Sequence, residues 1–217
     1  MILYGSSLSP FVRKVLAYAG EKGIELELRP TGKPGEPSAE FLEASPLRKM
    51  PALRDEAFTL ADSSAIIQYL EAKFPDPQLI PSDPQERGRV IWFEEYADTI
   101  IASCGAKMFY NRVVLPRFLG KSGDEEAART AECQELPPLL DYLETEVPAP
   151  GEFLVGGRIT LADIAVASQL VNLQHLKCAR DMTRHGRVYS WADAILSRPS
   201  FARWIERERA MLATEPA

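Results

Sequence analysis

The stretch Leu3–Val15, LYGSSLSPFVRKV, limits what the chain can fold into more than any other. An apolar run, Met1 to Tyr4, turns through Gly5, Ser6 and Ser7. Ser9-Pro10 then opens a run with helical spacing: Phe11, Val12, Val15, Leu16 and Ala19. Proline suits the first turn of a helix, where its missing N–H costs nothing. The pattern predicts a strand that leads straight into a helix, with Ser9 at the N-cap. A hydroxyl there lies beside unsatisfied backbone N–H groups and the positive end of the helix dipole. Such a place favours anions, including the thiolate of a ligand. A plain capping serine is the alternative reading.

The next sixty residues extend the pattern. Gly23 breaks the first helix, and Ile24 to Leu28 alternates apolar and charged residues like a half-buried strand. Pro30 to Ser38, rich in Pro and Gly, reads as a loop, and Glu40 to Ala44 as a short helix. Pro51 opens a strand, where a missing donor is tolerated. Leu53–Asp55 and Ala57–Leu60 form a hairpin around Asp55-Glu56. At Ala61-Asp62-Ser63-Ser64 the chain turns into a helix, stopped by Pro75-Asp76-Pro77. The order β-α-β-α-β-β-α is thioredoxin-like, with a proline at the start of the third strand.

Four prolines between Pro75 and Pro84 mark a boundary. The chain divides into an α/β domain (1–75), a linker (76–84) and an all-helical domain (85–217). Ser82-Asp83-Pro84-Gln85-Glu86 starts a long helix, expected to kink near Gly105 and to end at Pro116. A second runs from about Asp124 to Glu146, with a bend or break at Pro137-Pro138. Thr160 and Asp163 make a capping box for a helix that is apolar almost all round from Leu161 to Leu176, hence buried. Asn172 and His175 on it read as satisfied core polars rather than ligands.

Composition narrows the function. A net charge of −6 argues against a nucleic-acid partner. No apolar run is long enough to span a bilayer, and the N-terminus lacks the pattern of a signal peptide. Cys104, Cys133 and Cys178 have no metal spacing and read as free thiols of a reducing cytoplasm. With only His175 and His185 as histidines, no metal site is expected.

Three motifs, in this order and at these spacings, carry a family resemblance. They are Ser9-Pro10-Phe11 after the first strand, Lys49-Met50-Pro51-Ala52-Leu53 before the hairpin, and Ala61-Asp62-Ser63-Ser64-Ala65-Ile66 at the third helix. Together they resemble the cytosolic glutathione transferases, and among these the serine-type, bacterial-like members. Gly156-Gly157-Arg158-Ile159-Thr160-Leu161-Ala162-Asp163 resembles the family's folding motif, and the stretch from Arg198 to Trp204 also matches, so the likeness covers nearly the whole chain.

The resemblance implies a glutathione transferase, active in detoxification, that uses glutathione as co-substrate against a small, largely apolar electrophile. It implies a homodimer with no nucleic-acid or membrane partner. Ser9 would donate a hydrogen bond to the thiolate, with Ser6, Ser7 and Tyr4 as alternatives. Serine there forms no mixed disulfide, which argues against thiol transfer. Pro51 would be cis and would present Met50 to the cysteinyl part of glutathione. Asp62 and Ser63 would hold the γ-glutamyl end, and Lys49 the glycyl carboxylate, with Arg48 and Lys33 as weaker candidates. The second substrate would lie between the domains against Phe11, Met108 and Tyr110, with Phe109, Arg112 and Val113 nearby; Arg112 reads as a solvated arginine. The alternatives are an isomerase, dehalogenase or ether-cleaving enzyme using the same thiolate, or a non-catalytic ligand- or protein-binding member of the fold.

Overall fold

The computed structural model describes residues 1–33 and 36–213. Its first part runs β1 (Ile2–Tyr4), α1 (Pro10–Glu21), β2 (Glu27–Arg29), β3 (Gly32–Lys33), β4 (Glu36–Pro37), α2 (Ala39–Ala44), β5 (Ala52–Asp55), β6 (Phe58–Ala61) and α3 (Ser63–Lys73). β1 pairs parallel with β2 and antiparallel with β5, which pairs antiparallel with β6, giving the sheet order β2-β1-β5-β6. The register aligns Leu28, Leu3, Leu53 and Leu60 in one row across the sheet. Because side chains alternate along a strand, this row shares one face, and it packs on Val12, Val15 and Leu16 of α1 and Ile66, Ile67 and Leu70 of α3. Tyr4 and Ala52, one residue on, fall on the other face with Phe41 and Ala44 of α2. This is the expected α/β, thioredoxin-like unit.

Two details differ from the expectation. β2 starts at Glu27 instead of Ile24, because its ladder with β1 is three residues long. The expected loop at 30–38 contains a small hairpin, β3–β4, whose base is closed by Ser38 N–H donating to Thr31 O at 2.8 Å. Gly32 permits it: at φ +128° a Cβ would stand 2.4 Å from the Glu36 carbonyl oxygen.

Beyond 74–83, which carries no regular element, the chain is helical. α4 (Pro84–Glu95) is capped by Asp83, whose Oδ1 accepts from the N–H of Gln85 and Glu86 at 3.0 Å each. The helix then widens to π-type turns at Tyr96–Ile101, returns to α5 (Ala102–Phe109), and widens again at Tyr110–Phe118. The expected irregularity at Gly105 is therefore absent; Gly105 lies inside regular α5. The wide turns lie where side chains take a carbonyl from the ladder. Thr99 Oγ1 donates to Glu95 O at 2.6 Å, and Asn111 Nδ2 to Lys107 O at 2.8 Å. Pro116, inside the second wide segment, also withholds a ladder donor, and the helix runs two residues past it to Phe118.

α6 (Glu125–Thr130) and α7 (Leu136–Glu146) are joined by a third π segment, Ala131–Glu135. The Pro137-Pro138 pair thus widens the helix ahead of it instead of breaking it, since neither proline can donate four residues back. α8 (Leu161–His175) is buried on every side, as its all-round apolar pattern requires. Its capping box is formed: Thr160 N–H donates to Asp163 Oδ2 at 2.9 Å, and Leu154 N–H to Oδ1 at 2.8 Å. Burial pushes the Asp163 carboxyl up to about 6, against these bonds. α9 (Met182–Leu196) and α10 (Pro199–Ala213) complete the bundle. No helix among the described residues is long and apolar enough to cross a membrane.

Candidate active site

The β1–α1 turn is built for close approach. A Cβ on Gly5 would stand 2.6 Å from Val12 Cγ2, so only glycine lets the turn lie this near α1. Ser9 N–H donates to Ser6 O at 3.0 Å, and Arg13 N–H to Ser9 O at 2.9 Å, which starts the helix. Ser9 is the N-cap residue, at φ −73° and ψ 124°, but its side chain makes no capping bond. Its hydroxyl is thus free for another partner, and it borders a cavity of about 410 Å³ between the α/β domain and the helices.

The four candidates of this turn separate. Ser6 and Ser9 border the cavity. Ser7 does not, and its Oγ is buried without a partner among the described residues. Tyr4 is buried against Phe41 and donates from its OH to Glu40 Oε2 at 3.3 Å, on the far face of the sheet.

Met50, 40% exposed, also borders the cavity. The Met50–Pro51 bond is cis and Pro51 is buried. Ser45 Oγ donates to Lys49 O at 2.7 Å and accepts from Lys49 N–H at 3.1 Å, fixing the backbone just before Met50. The Lys49 and Arg48 side chains are exposed, as is Lys33 on β3.

Asp62 and Ser63 start α3. Asp62 Oδ1 accepts from the N–H of Ser64 at 2.9 Å and of Ala65 at 3.0 Å; Oδ2 takes no bond from the described residues. Asp62 sits at φ +82°, which costs a non-glycine residue on the order of 1–3 kcal/mol and is found most often at functional sites. Ser63 is buried at the first helical position. Neither borders the cavity that Ser9 and Met50 share, and nor do Lys49 and Pro51.

Two buried ionic groups hold this arrangement. Lys14 Nζ reaches Glu94 Oε1 at 2.9 Å, Asp98 Oδ2, and Ser64 Oγ at 3.3 Å, tying α1 to α4 and to the first turn of α3. Burial raises the Asp98 carboxyl against the pull of Lys14. Arg13 lies under the turn: Nη1 donates to Ser168 O at 2.6 Å, and Nη2 to Asn172 Oδ1 at 3.0 Å and Glu208 Oε2 at 2.8 Å. His175 Nε2 stands 2.7 Å from the same Glu208 oxygen. Asn172 and His175 are thus both tied to the Arg13–Glu208 pair, and Asn172 also borders the cavity.

The outer wall corrects part of the sequence reading. Phe11, Phe109 and Tyr110 border the cavity, joined by Ala102, Gly105, Ala106, Val114 and Phe118. Met108 does not: it is fully buried in the main core. Ala102, Gly105, Ala106, Phe109 and Tyr110 follow the three-and-four spacing of one helix face, and Met108 points away from it. Val113 is likewise off the cavity. Arg112 is not a free solvated arginine; its guanidinium is paired with Glu125 at 2.7 Å and Glu132 at 2.6 Å. Sequence reasoning missed the small residues at 102, 105 and 106, whose spacing signals room beside the helix. It also missed Gln169 of α8, for which no signal exists in the pattern.

Comparison with known proteins bears on the family and the fold. Residues 3–78 match the model of the glutathione S-transferase N-terminal domain, and residues 113–208 that of the C-terminal domain. Glutathione S-transferase theta-3 of Mus musculus is 30% identical over 211 residues, 96% of this chain and 81% of that one. Maleylacetoacetate isomerase of Rattus norvegicus is 33% identical over 178 residues, 80% of this chain and 77% of that one. The apo structure of human glutathione-S-transferase T1-1 superposes with a TM-score of 0.81 at 27% identity, covering 97% of this chain and 88% of that one. With both halves matched and the fold shared over nearly its full length, the chain belongs to the glutathione S-transferase family.

Proposed function

We propose that this protein is a glutathione transferase in which Ser9 holds the glutathione thiol as a thiolate for attack on a small electrophile in the adjoining cavity. One observation carries the reading: the Ser9 hydroxyl stands at the N-terminus of α1, unused in capping, on the edge of a largely apolar cavity. A free thiol of pKa near 8.5 is only a few per cent ionised at pH 7. Lowering it by about two units takes roughly 2.7 kcal/mol. A charge-assisted O–H···S bond with the helix dipole behind it is of that order.

Several features support the rest of the site. Met50 borders the same cavity, so its backbone is suited to pair with the cysteinyl peptide as an added strand. Asp62 has a free Oδ2 for the γ-glutamyl ammonium, while Ser63, whose N–H the Asp62 cap does not take, offers that N–H and its hydroxyl to the carboxylate. Lys49 is our candidate for the glycyl carboxylate. On this reading residues 1–75 form the glutathione domain, 76–84 the linker and 85–217 the helical domain, and the active unit is a cytoplasmic homodimer.

The test is calorimetric titration with glutathione, followed by assay of thioether formation with 1-chloro-2,4-dinitrobenzene. Saturable binding with turnover supports the proposal; no binding contradicts it. A second reading, glutathione-dependent isomerisation, is favoured by the likeness to maleylacetoacetate isomerase. It is distinguished by turnover in which glutathione is not consumed.

A further inference from the structure

Lys14 is a buried cation to which the proposed mechanism gives no part. It lies on α1, the helix that Ser9 starts, and is wholly shielded from solvent. A lysine ammonium has three N–H donors and no acceptor. Here three acceptors surround it: Ser64 Oγ of α3 at 3.3 Å, Glu94 Oε1 of α4 at 2.9 Å, and Asp98 Oδ2. Ser64 Oγ in turn donates to the same Glu94 oxygen at 2.7 Å. The Ser64 hydroxyl is thus acceptor and donor at once, which fixes its rotation. Its backbone N–H points the other way, to Asp62 Oδ1 at 2.9 Å. Ser64 therefore links the ion cluster to the residue that caps α3.

A buried ion cluster adds little stability over apolar residues of the same volume. What this one fixes is geometry. The helices it joins, α1 and α3, begin at Ser9 and at Asp62-Ser63, the places read above as holders of the thiol and of the γ-glutamyl end. One ligand reaches both only while the two N-termini keep the right separation, and an error of about an ångström is costly. We infer that Lys14 and Glu94, acting through the Ser64 hydroxyl, are positioning residues for glutathione: they set the first turn of α3 against that of α1, so that the γ-glutamyl end is held while the thiol lies at Ser9. The inference rests on the glutathione-transferase reading. Lys14 and Glu94 are buried and act through α3 rather than on the ligand.

The experiment measures by calorimetry the dissociation constants of S-hexylglutathione and of S-hexylcysteinylglycine, which lacks the γ-glutamyl residue. The wild type should prefer the first. In Ser64→Ala, which leaves the Lys14–Glu94 pair intact, that preference should fall about tenfold, close to the worth of one hydrogen bond to a charged group. Ser64→Thr keeps the hydroxyl and should keep the preference. Lys14→Met should lower it as Ser64→Ala does, and the double variant no further. A general loosening of the fold would weaken both ligands together and leave the preference unmoved. An unchanged preference in Ser64→Ala overturns the inference, and this variant decides even if Lys14→Met does not fold. An equal fall in Ser64→Thr overturns it too. Failure of the wild type to bind S-hexylglutathione at all removes the transferase reading, and this inference with it.

Discussion

Arg13 Nη2 stands 2.8 Å from Glu208 Oε2, and both side chains are wholly shielded from solvent. The pair joins α1, which begins at Ser9, to α10 near the end of the chain, and Asn172 and His175 complete its hydrogen bonding. Removing one member leaves the other charge buried without its partner. Arg13→Met should cost about 3–5 kcal/mol, as should Glu208→Leu. The double variant should be less damaging than the sum of the two. Urea denaturation of the four proteins checks this; simple additivity would show that the pair contributes nothing as a pair.

Acid should loosen a second junction between the same helices. Arg198 and Ser200 donate to Glu21 at the end of α1. Burial acts to raise this carboxyl, but the hydrogen bonds from Arg198 and Ser200 outweigh it and hold it below its ordinary value. The unfolded chain then binds the proton more readily than the folded one. The stabilisation is complete above the ordinary glutamate range and is lost as pH falls through the lowered value. The melting-temperature gap between wild type and Glu21→Gln should therefore narrow as pH falls below the ordinary glutamate range.

The two faces of the helix at residues 102–110 should separate stability from selectivity. Met108→Ala empties a fully buried site and should cost about 2–5 kcal/mol without altering glutathione affinity. Tyr110, 49% exposed at the cavity, should tolerate Ala within about 0.5 kcal/mol while the KM of the electrophile changes. Thermal melts paired with steady-state kinetics read both effects.

Gly105 offers a gain of stability with a cost in substrate size. A Cβ there meets nothing within 4 Å and projects toward the cavity that Gly105 borders. Gly105→Ala should stabilise the helix by up to about 1 kcal/mol. It should also weaken turnover of bulky electrophiles more than of small ones. Denaturation and a substrate series of graded size test the two halves.

How much of this was legible in the sequence depends on the range of the interaction. The strand-to-helix turn at Ser9-Pro10 and the Thr160–Asp163 box are set by neighbours within a few residues, and the pattern shows them. The wide turns at Tyr96–Ile101 and Ala131–Glu135 arise from single side chains and prolines acting on carbonyls, a register detail that hydrophobic spacing does not report. Met108 was misplaced because an apolar helix has two greasy faces, and only packing decides which meets the core. Arg13 and Glu208 lie nearly two hundred positions apart, and nothing local marks either as buried.

The role of Ser9 is the centre of the account, and one titration addresses it directly. The thiolate absorbance of bound glutathione is followed against pH in the wild type and in Ser9→Ala. The account predicts a thiol pKa about two units below that of free glutathione in the wild type, and a return toward the free value in the variant with binding retained. An unshifted thiol in both proteins would contradict it and leave Ser9 as a helix cap alone.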